Sequence, residues 1–397
     1  MSLSYWRHPD KAKWREEYGF SDELDKVLDA AFAHISNGRG VPTTHVDAAN
    51  MVHPFIKRRM SAHQRMHAYL ALTTGNCAAE RYMVASYWLD RTARLAFHLR
   101  ELDPLVELLL VRADINRQSS NVVFASEDTQ MSLDLLNQTA DPHAPLVARQ
   151  RLQALSQQAI YQAYAGRYED LERAFEDSYA AMARIPSADL AHVQKSIANL
   201  NWAHAVYYRL AREPLKALSY ALEAGLVYQR PAISNTAVRM QCLIVEIIFD
   251  WIEERAADTS ATDADNAVFM KLAAQHLRAA EKAARTLKDH DTPGQWVTTL
   301  ARSRYQRLKH SAGDRTSALY DVLNAAREMG DEVVVGQALM ELGAESQLKG
   351  DKSAAYAAYR GAFAAFGESQ AKALQNVAKR KLEPLSVGSV VQGTDDD

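Results

Sequence analysis

The chain has 397 residues, 48% of them hydrophobic, and a formal net charge of −3; it is long enough for several domains or one elongated repeat array, and apolar enough to exclude wholesale disorder. Gly (16) and Pro (11) are few, while Ala, Leu, Glu, Gln, Arg and Lys dominate the middle and C-terminal parts, a composition that argues against a β-rich fold. The near-neutral balance excludes a strong basic field for nucleic acid, and the two cysteines, Cys77 and Cys242, exclude a disulfide framework or a four-cysteine zinc site.

The N-terminal twenty residues are charged and aromatic and lack the apolar core of a secretion signal. The most apolar window, Val238–Ile252, contains Glu246 and Asp250 and is too short to span a bilayer. A soluble, cytoplasmic protein without membrane contact is the expectation.

In chain order, residues 1–43 read as an N-terminal docking segment and a helix. Trp6, Trp14, Tyr18 and Phe20 predict a segment that packs on the body. Ser21 has the character of an N-cap, with Asp22 and Glu23 in the first turn, and Leu24, Val27, Leu28, Ala31, Phe32 and Ile35 follow at helical spacing. Ser36–Pro42 predicts a loop. Residues 44–141 predict four helices. The first runs from Thr44 or His45 to a break at Thr74–Asn76, and the second from about Ala78 to Leu102. The third opens with Asp103 as cap and Pro104 as first helical residue, and the fourth covers Asp128–Leu136. No repeat pattern marks this region, which is either a bundle or a set of diverged repeats.

From residue 142 to 384 a repeat pattern appears. It is clearest in Gly336–Gly367, where Leu342 and Gly343 are followed by Gly350, then Ala355, Tyr359 and Ala362. Gly343 and Ala355 are small where two helices cross closely, Gly350 suits the positive φ that ends a helix, and Tyr359 is expected to fill the gap between neighbouring units. This order resembles a tetratricopeptide repeat. Partial matches start near Leu152 (Ala159, Gly166, Tyr168, Glu169, Phe175), Ala198 (Ala205, Tyr208, Ala217, Ala224) and Thr299 (Gly313, Ala318, Ala325). The equivalent positions Leu171, Ala217, Ala318 and Ala355 are unevenly spaced, where a regular array repeats every 34 or so residues. The widest gap calls for an extra helix pair, about Thr236–Arg255 and Asn266–Lys288, joined by the polar loop Ala256–Asp265. The tail, 385–397, is small and acidic and is expected to be disordered. The resemblance implies an all-α fold: an α-α superhelix, as an irregular right-handed solenoid, preceded by the N-terminal helical region.

No catalytic group, metal site or cofactor is expected. His63 and His67 share a helix face with His53 upstream, but the segment between them lacks the glutamate of a metalloprotease and is surrounded by Lys57, Arg58, Arg59 and Arg65. The Gly38–Gly40 turn lacks the Lys-Ser/Thr of a phosphate loop, no nucleophile-elbow motif occurs, and Glu253 and Glu254 read as helix-end surface charge. The basic residues above, with Arg91, Arg94 and Arg100, support an alternative reading as a nucleic-acid-associated regulator.

If the repeat register holds, the first helices line a concave groove. Its inward positions are Asn199, Trp202, Val206 and Arg209 in one unit. In another they are Leu300, Ser303, Arg307 and His310, with Arg304 adjacent. The last unit offers Gln337, Met340, Ala344 and Gln347. Amides suit a peptide backbone, Arg a carboxylate, and Trp and Met apolar side chains. The ligand-binding set is therefore Asn199, Trp202, Arg209, Ser303, Arg304, Arg307, His310, Gln337 and Met340. The expected partner is a protein or peptide bearing an acidic or carboxylate group. The competing reading is a groove filled by the protein's own segments. In length and layout the chain is similar to bacterial regulators that join an output module to such repeats and sense small peptides.

Overall fold

The structure, a computed structural model, describes residues 15–386 apart from 38–41, 80, 119–121, 140, 142–143, 229–234, 257–262, 287–292 and 311–314. Seventeen α-helices and no strand make up the described residues. Trp6, Trp14, the tail from 387 on and most of the polar Ala256–Asp265 loop lie outside them.

The front of the molecule holds α1 (Asp22–Asn37), α2 (Pro42–Val52), α3 (Ala62–Ala78), α4 (Tyr82–Leu99), α5 (Leu102–Gln118) and α6 (Val122–Asn137). Ser21 caps α1 as expected, its Oγ accepting from Leu24 N at 3.3 Å. The long helix expected from Thr44 is two helices. Pro54 has no N–H and disfavours helix at its predecessor, so the chain leaves α2 through a 3₁₀ turn, His53–Phe55. It re-enters at Ser61, whose capping box with Gln64 starts α3. Gly75, expected to break this helix, lies within α3, because α2 crosses there. A Cβ on Gly75 would stand 2.4 Å from Ala49 Cβ and 2.6 Å from the His45 carbonyl oxygen. The helix containing Pro104 begins at Leu102, so Pro104 sits inside its first turn, and α6 extends beyond both ends of the expected Asp128–Leu136. Tyr18 is 87% exposed rather than docked, its ring covered on one side by Arg59 at 4.1 Å. The segment is held instead by Glu17, whose carboxylate meets His63 Nδ1.

The array follows as α7 (Pro145–Ala165) and α8 (Tyr168–Met182), α9 (Gln194–Leu210) and α10 (Pro214–Tyr228), then α11 (Asn235–Ala256) and α12 (Asp263–Thr286). It continues with α13 (Pro293–Leu308) and α14 (Thr316–Met329), α15 (Glu332–Leu348) and α16 (Lys352–Glu368), and a final helix α17 (Lys372–Ser386). The extra pair inferred from the uneven spacing is present as α11 and α12. Each pair packs as a hairpin. First helices also pack on one another, α7 on α9, α11 on α13 and α13 on α15, whereas second helices pack mainly on first helices. That asymmetry puts α7, α9, α11, α13 and α15 on the inside of the winding.

The packing reasons read from Gly336–Gly367 are visible in α15 and α16. A Cβ on Gly343 would meet Tyr359 Cε1 at 2.5 Å, and one on Gly336 would meet Phe366 Cε1 at 2.4 Å. Gly350 turns with φ +79°. Tyr359 fills a space within its own unit rather than between units: it lies on Gly343 and donates from Oη to Gln347 Oε1 at 2.7 Å. Gln347 therefore faces α16, not the groove.

One apolar core runs from Val106 to Ala365 and a second gathers α1–α5 around Leu24, Leu28, Met66, Leu70 and Leu108. Helix α5 serves both: Val106, Leu110 and Ala113 belong to the first, Leu108, Val111 and Ile115 to the second. At the other end, Ala371, just before α17, and Ala378 within it close over Ala362 and Phe366. The array winds far enough for α17 also to reach α7, and a Cβ on Gly166, in the first turn of the array, would stand 3.5 Å from Ala373 Cβ. Among the described residues no helix is long and apolar enough to cross a membrane.

Candidate ligand-binding groove

Along α11, Glu246, Asp250 and Glu253 are spaced i, i+4, i+7 and so share one face. That face looks to α9 on one side and α13 on the other. Arg209, in the last turn of α9, pairs with Glu246 and donates from Nε to Asp250 Oδ2 at 2.6 Å. Arg304 of α13 donates from Nη2 to Asp250 at 2.6 Å and to Glu253 at 2.8 Å. Arg307, one turn on, reaches Glu253 at 3.5 Å and Glu341 of α15 at 2.8 Å. Arg315 closes the series with two bonds to Glu345, at 2.7 and 2.8 Å. An alternating belt of guanidinium and carboxylate groups therefore ties together α9, α11, α13 and α15.

Electrostatics inside the belt are dominated by partial burial and close opposite charge. Burial by itself would raise the carboxyls of Asp250 and Glu253, but the neighbouring arginines outweigh it and hold both below the usual carboxylate range. For Arg304 burial opposes the charge, and Asp250 and Glu253 more than restore it, so its guanidinium is held even more firmly protonated. Among the described residues four arginines of the belt face five carboxylates, with no surplus of arginine. Arg307 is the least satisfied member: its Nε is buried without a hydrogen-bond acceptor, Glu345 Oε1 standing 4.0 Å away.

A second polar cluster sits where α5 enters the array. Arg117 donates to Asp114 at 2.6 Å, Lys195 of α9 stands 3.5 Å from the same carboxylate, and Arg239 of α11 donates to the Arg117 carbonyl at 3.3 Å. The Arg117 guanidinium lies 5.6 Å from the centroid of Trp202. The end of α5 thus lies against α9 and α11.

The nine sequence-predicted residues consequently fall into separate environments. Arg209, Arg304 and Arg307 are together in the belt, each already paired. Asn199 and Trp202 are together near Arg117, both 4% exposed, with Asn199 accepting from the Tyr228 hydroxyl. Ser303 is buried on α13. His310 lies past the end of α13 in the following turn, with φ +51°. Gln337 and Met340 are half-buried on α15, and Met340 packs against the α16–α17 contact.

Sequence reasoning missed the acidic half of the belt. Glu253 was expected to be helix-end surface charge, yet it bridges Arg304 and Arg307. The i, i+4, i+7 acidic spacing on an otherwise apolar helix was the available signal. Of the expected basic surface, Arg58 pairs with Glu23 and lies over Phe55, and Arg91 lies 3.7 Å from the Tyr87 centroid. His63 stands between Glu17 and Glu101, and His67 is buried beside Phe32. Among the described residues no group of three or more His, Cys, Asp or Glu is arranged to hold a metal ion. Both cysteines are buried, which pushes the Cys242 thiol up to about 12 and the Cys77 thiol higher, so neither is a nucleophile at neutral pH.

A known structure shares this architecture. A Rap protein crystallised in complex with competence and sporulation factor superposes with a TM-score of 0.51 at 9% identity, covering 94% of this chain and 100% of that one. The apo form of RapI gives a TM-score of 0.45 at 11% identity, over 91% and 99% of the two chains. No protein-family model and no curated protein matches the chain. The fold is an α-α superhelix like that of the first of these, a Rap protein; at 9% identity the likeness is one of fold.

Proposed function

We propose that the chain is a non-catalytic regulator that binds a peptide or protein segment along the inner face of its first helices. The observation that supports this most is the belt itself: four first helices that share the apolar core are joined on their inner side by exchangeable ion pairs as well. Charged groups of a bound segment can substitute for partners in such a belt at little net cost, because each broken pair is replaced by another. Arg307 is the point where exchange gains most, since a ligand carboxylate would supply the acceptor that its Nε lacks. Arg209 and Arg304 are each held by two carboxylates with no buried N–H left without an acceptor, and they serve the frame. Likeness in fold to a Rap protein solved with competence and sporulation factor supports the same class of function.

The test is selection from a random heptapeptide library on the purified full chain. Titration of a selected peptide should follow, with hydrogen-exchange mapping of its footprint. Protection is expected on α9, α11, α13 and α15, and Arg307→Gln should weaken binding about tenfold, or roughly 1.4 kcal/mol, without lowering helicity. A library yielding no peptide tighter than about 1 mM, or a footprint confined to the outer helices, would overturn the reading.

A further inference from the structure

Helices α8, α9 and α10 carry an aromatic cluster on the side opposite the belt. The imidazole of His204 in α9 is sandwiched between Phe175 of α8, at 3.7 Å between centroids, and Tyr220 of α10, at 4.6 Å. Tyr208 extends the stack beyond Tyr220, and Tyr179 donates or accepts at His204 Nε2 across 3.1 Å. At the rim, Tyr168 and Tyr179 are 42% and 48% exposed. Packing between helices accounts for Phe175 and the buried side of His204. It does not account for tyrosines that spend half their surface in water at the edge of a ring stack.

Charge gives this face a direction. Helix α8 holds five acidic residues against one arginine, and among the described residues only Asp170 is ion-paired, with Arg173. Glu172 and Glu176 fall between Tyr168 and Tyr179 at helical spacing, so acidic groups and rings share a stripe. The four excess negative charges of one helix exceed those of the whole chain, −3. The floor adds no opposing charge: burial pushes His204 down to about 4, so the imidazole is neutral at physiological pH. One cation is already recognised here, since Lys216 Nζ lies 5.3 Å from the Tyr208 centroid while paired with Glu213.

We propose that this outer face of α8–α10 is a docking site for a protein partner that presents a basic segment. Its lysine or arginine side chains would lie over Tyr168 and Tyr179 and pair with Glu172 and Glu176. The combination of tyrosine faces with unpaired carboxylates suits cationic side chains on an apolar backbone, and it repels nucleic acid and anionic membrane. The site is separate from the inner-face groove, so each can be occupied independently.

The experiment uses the full chain and a fluorescein-labelled 14-residue peptide of lysine and leucine patterned as an amphipathic helix, beside its glutamate–leucine counterpart. Two double variants divide the site. Tyr168→Ser with Tyr179→Ser removes rings and keeps charge, and Glu172→Gln with Glu176→Gln does the reverse. All four positions are exposed, and circular dichroism and melting confirm that each variant folds. The basic peptide should bind and each double variant should weaken it at least tenfold, with Tyr179→Phe retaining affinity and the acidic peptide not binding. Loss in the glutamine variant alone would mean attraction to charge without a site, and overturns the proposal. So would equal binding of both peptides, or no binding of the basic one. Sedimentation equilibrium covers the remaining occupant: self-association abolished by both double variants would make the partner a second copy of this chain, against the proposal.

Discussion

The contact within the unit α15–α16 and the contact between units at α11 and α13 join helices by different means. In α15–α16 the helices touch through shape: Gly343 and Gly336 admit the rings of Tyr359 and Phe366, and no charge is needed at the crossing. Between α11 and α13 the start of α13 also sits close, at Gly294 beside Asn235 and Val238, but further along the helices are joined on the inner side by charge, Arg304 on Asp250 and Glu253. Shape fixes one separation, because an interior close-packed at a glycine has no second arrangement of similar energy. Ion pairs tolerate exchange. Rigid units at the end and exchangeable joints in the middle are what a groove needs if it is to admit a ligand without unfolding.

Breaking the polar joint should have the largest effect. Arg304→Met leaves Asp250 and Glu253 partly buried with less compensation, a loss of about 3–5 kcal/mol in denaturant unfolding. The pH dependence carries the sign. Both carboxyls are held below their ordinary range, so their contribution is present above the unfolded carboxylate pKa and fades as pH falls through the lower folded values. Wild type should therefore lose stability on acidification below about pH 4, with a flatter acid limb in Arg304→Met. Asp250→Asn added to Arg304→Met should cost less than the two changes summed. A loss under about 1 kcal/mol for Arg304→Met would mean that the belt is ordinary surface charge.

The shape joint comes next. Gly343→Leu has to place a Cβ and an isobutyl group where a Cβ alone would lie 2.5 Å from Tyr359, and should cost about 3 kcal/mol by overpacking. Unlike Arg304→Met, it should leave the acid limb unchanged. Pairing Gly343→Ala with Tyr359→Leu should recover much of the loss, since it trades ring volume for the added methyl. A melting temperature unmoved by Gly343→Leu would remove the distinction between the two joints.

This contrast also explains what could be read from the chain. Gly343, Gly350, Ala355 and Tyr359 lie within one short stretch, and Gly343 and Tyr359 act on each other, so their roles were legible apart from which gap the tyrosine fills. Arg304 and Glu253 are far apart in sequence, and each is unremarkable alone on its own helix. Only folding brings them to 2.8 Å. Inward positions were inferred from register, yet burial against the end of α5 depends on where Arg117 ends up, which no local pattern encodes. Gly75 shows the reverse error: a residue that breaks helices by propensity was kept inside one because Ala49 passes too close for a side chain.

The front region offers a smaller test of the same opposition. Glu107 of α5 is fully buried, neither oxygen has a hydrogen-bond partner, and burial pushes its carboxyl up to about 7. A raised folded value contributes stability that is complete below the ordinary value near 4.5 and is lost as pH rises through about 7. Glu107→Met should accordingly stabilise the protein by about 2–3 kcal/mol at pH 8 and by little at pH 5. Here a charge without a partner is the defect, whereas on α11 the partners make the joint. Equal effects at the two pH values would show that the carboxyl titrates normally and is not sealed in the core.

The smallest expected change concerns whether the array's ends meet. A disulfide needs Cβ atoms roughly 3.5–4.5 Å apart, and Gly166 and Ala373 offer 3.5 Å. Gly166→Cys with Ala373→Cys should therefore oxidise readily. Chain-entropy arguments promise several kcal/mol for so long a loop, but engineered bridges deliver less, and Cys at φ +69° costs about 1 kcal/mol; a net gain near 1 kcal/mol is expected. The count of reactive thiols decides the matter more sharply than stability does. Cys77 and Cys242 are buried with thiols pushed well up, so in the native state a thiol reagent reports the new pair alone. No reaction before reduction and two thiols after it would place α17 against α7 in solution. Two thiols reactive throughout, under oxidising conditions, would mean that the winding stays open and α17 rests on α16 alone. In that case the inner belt spans an open arc whose ends move independently. A ligand bound between α9 and α15 would then bend the array instead of entering a closed ring.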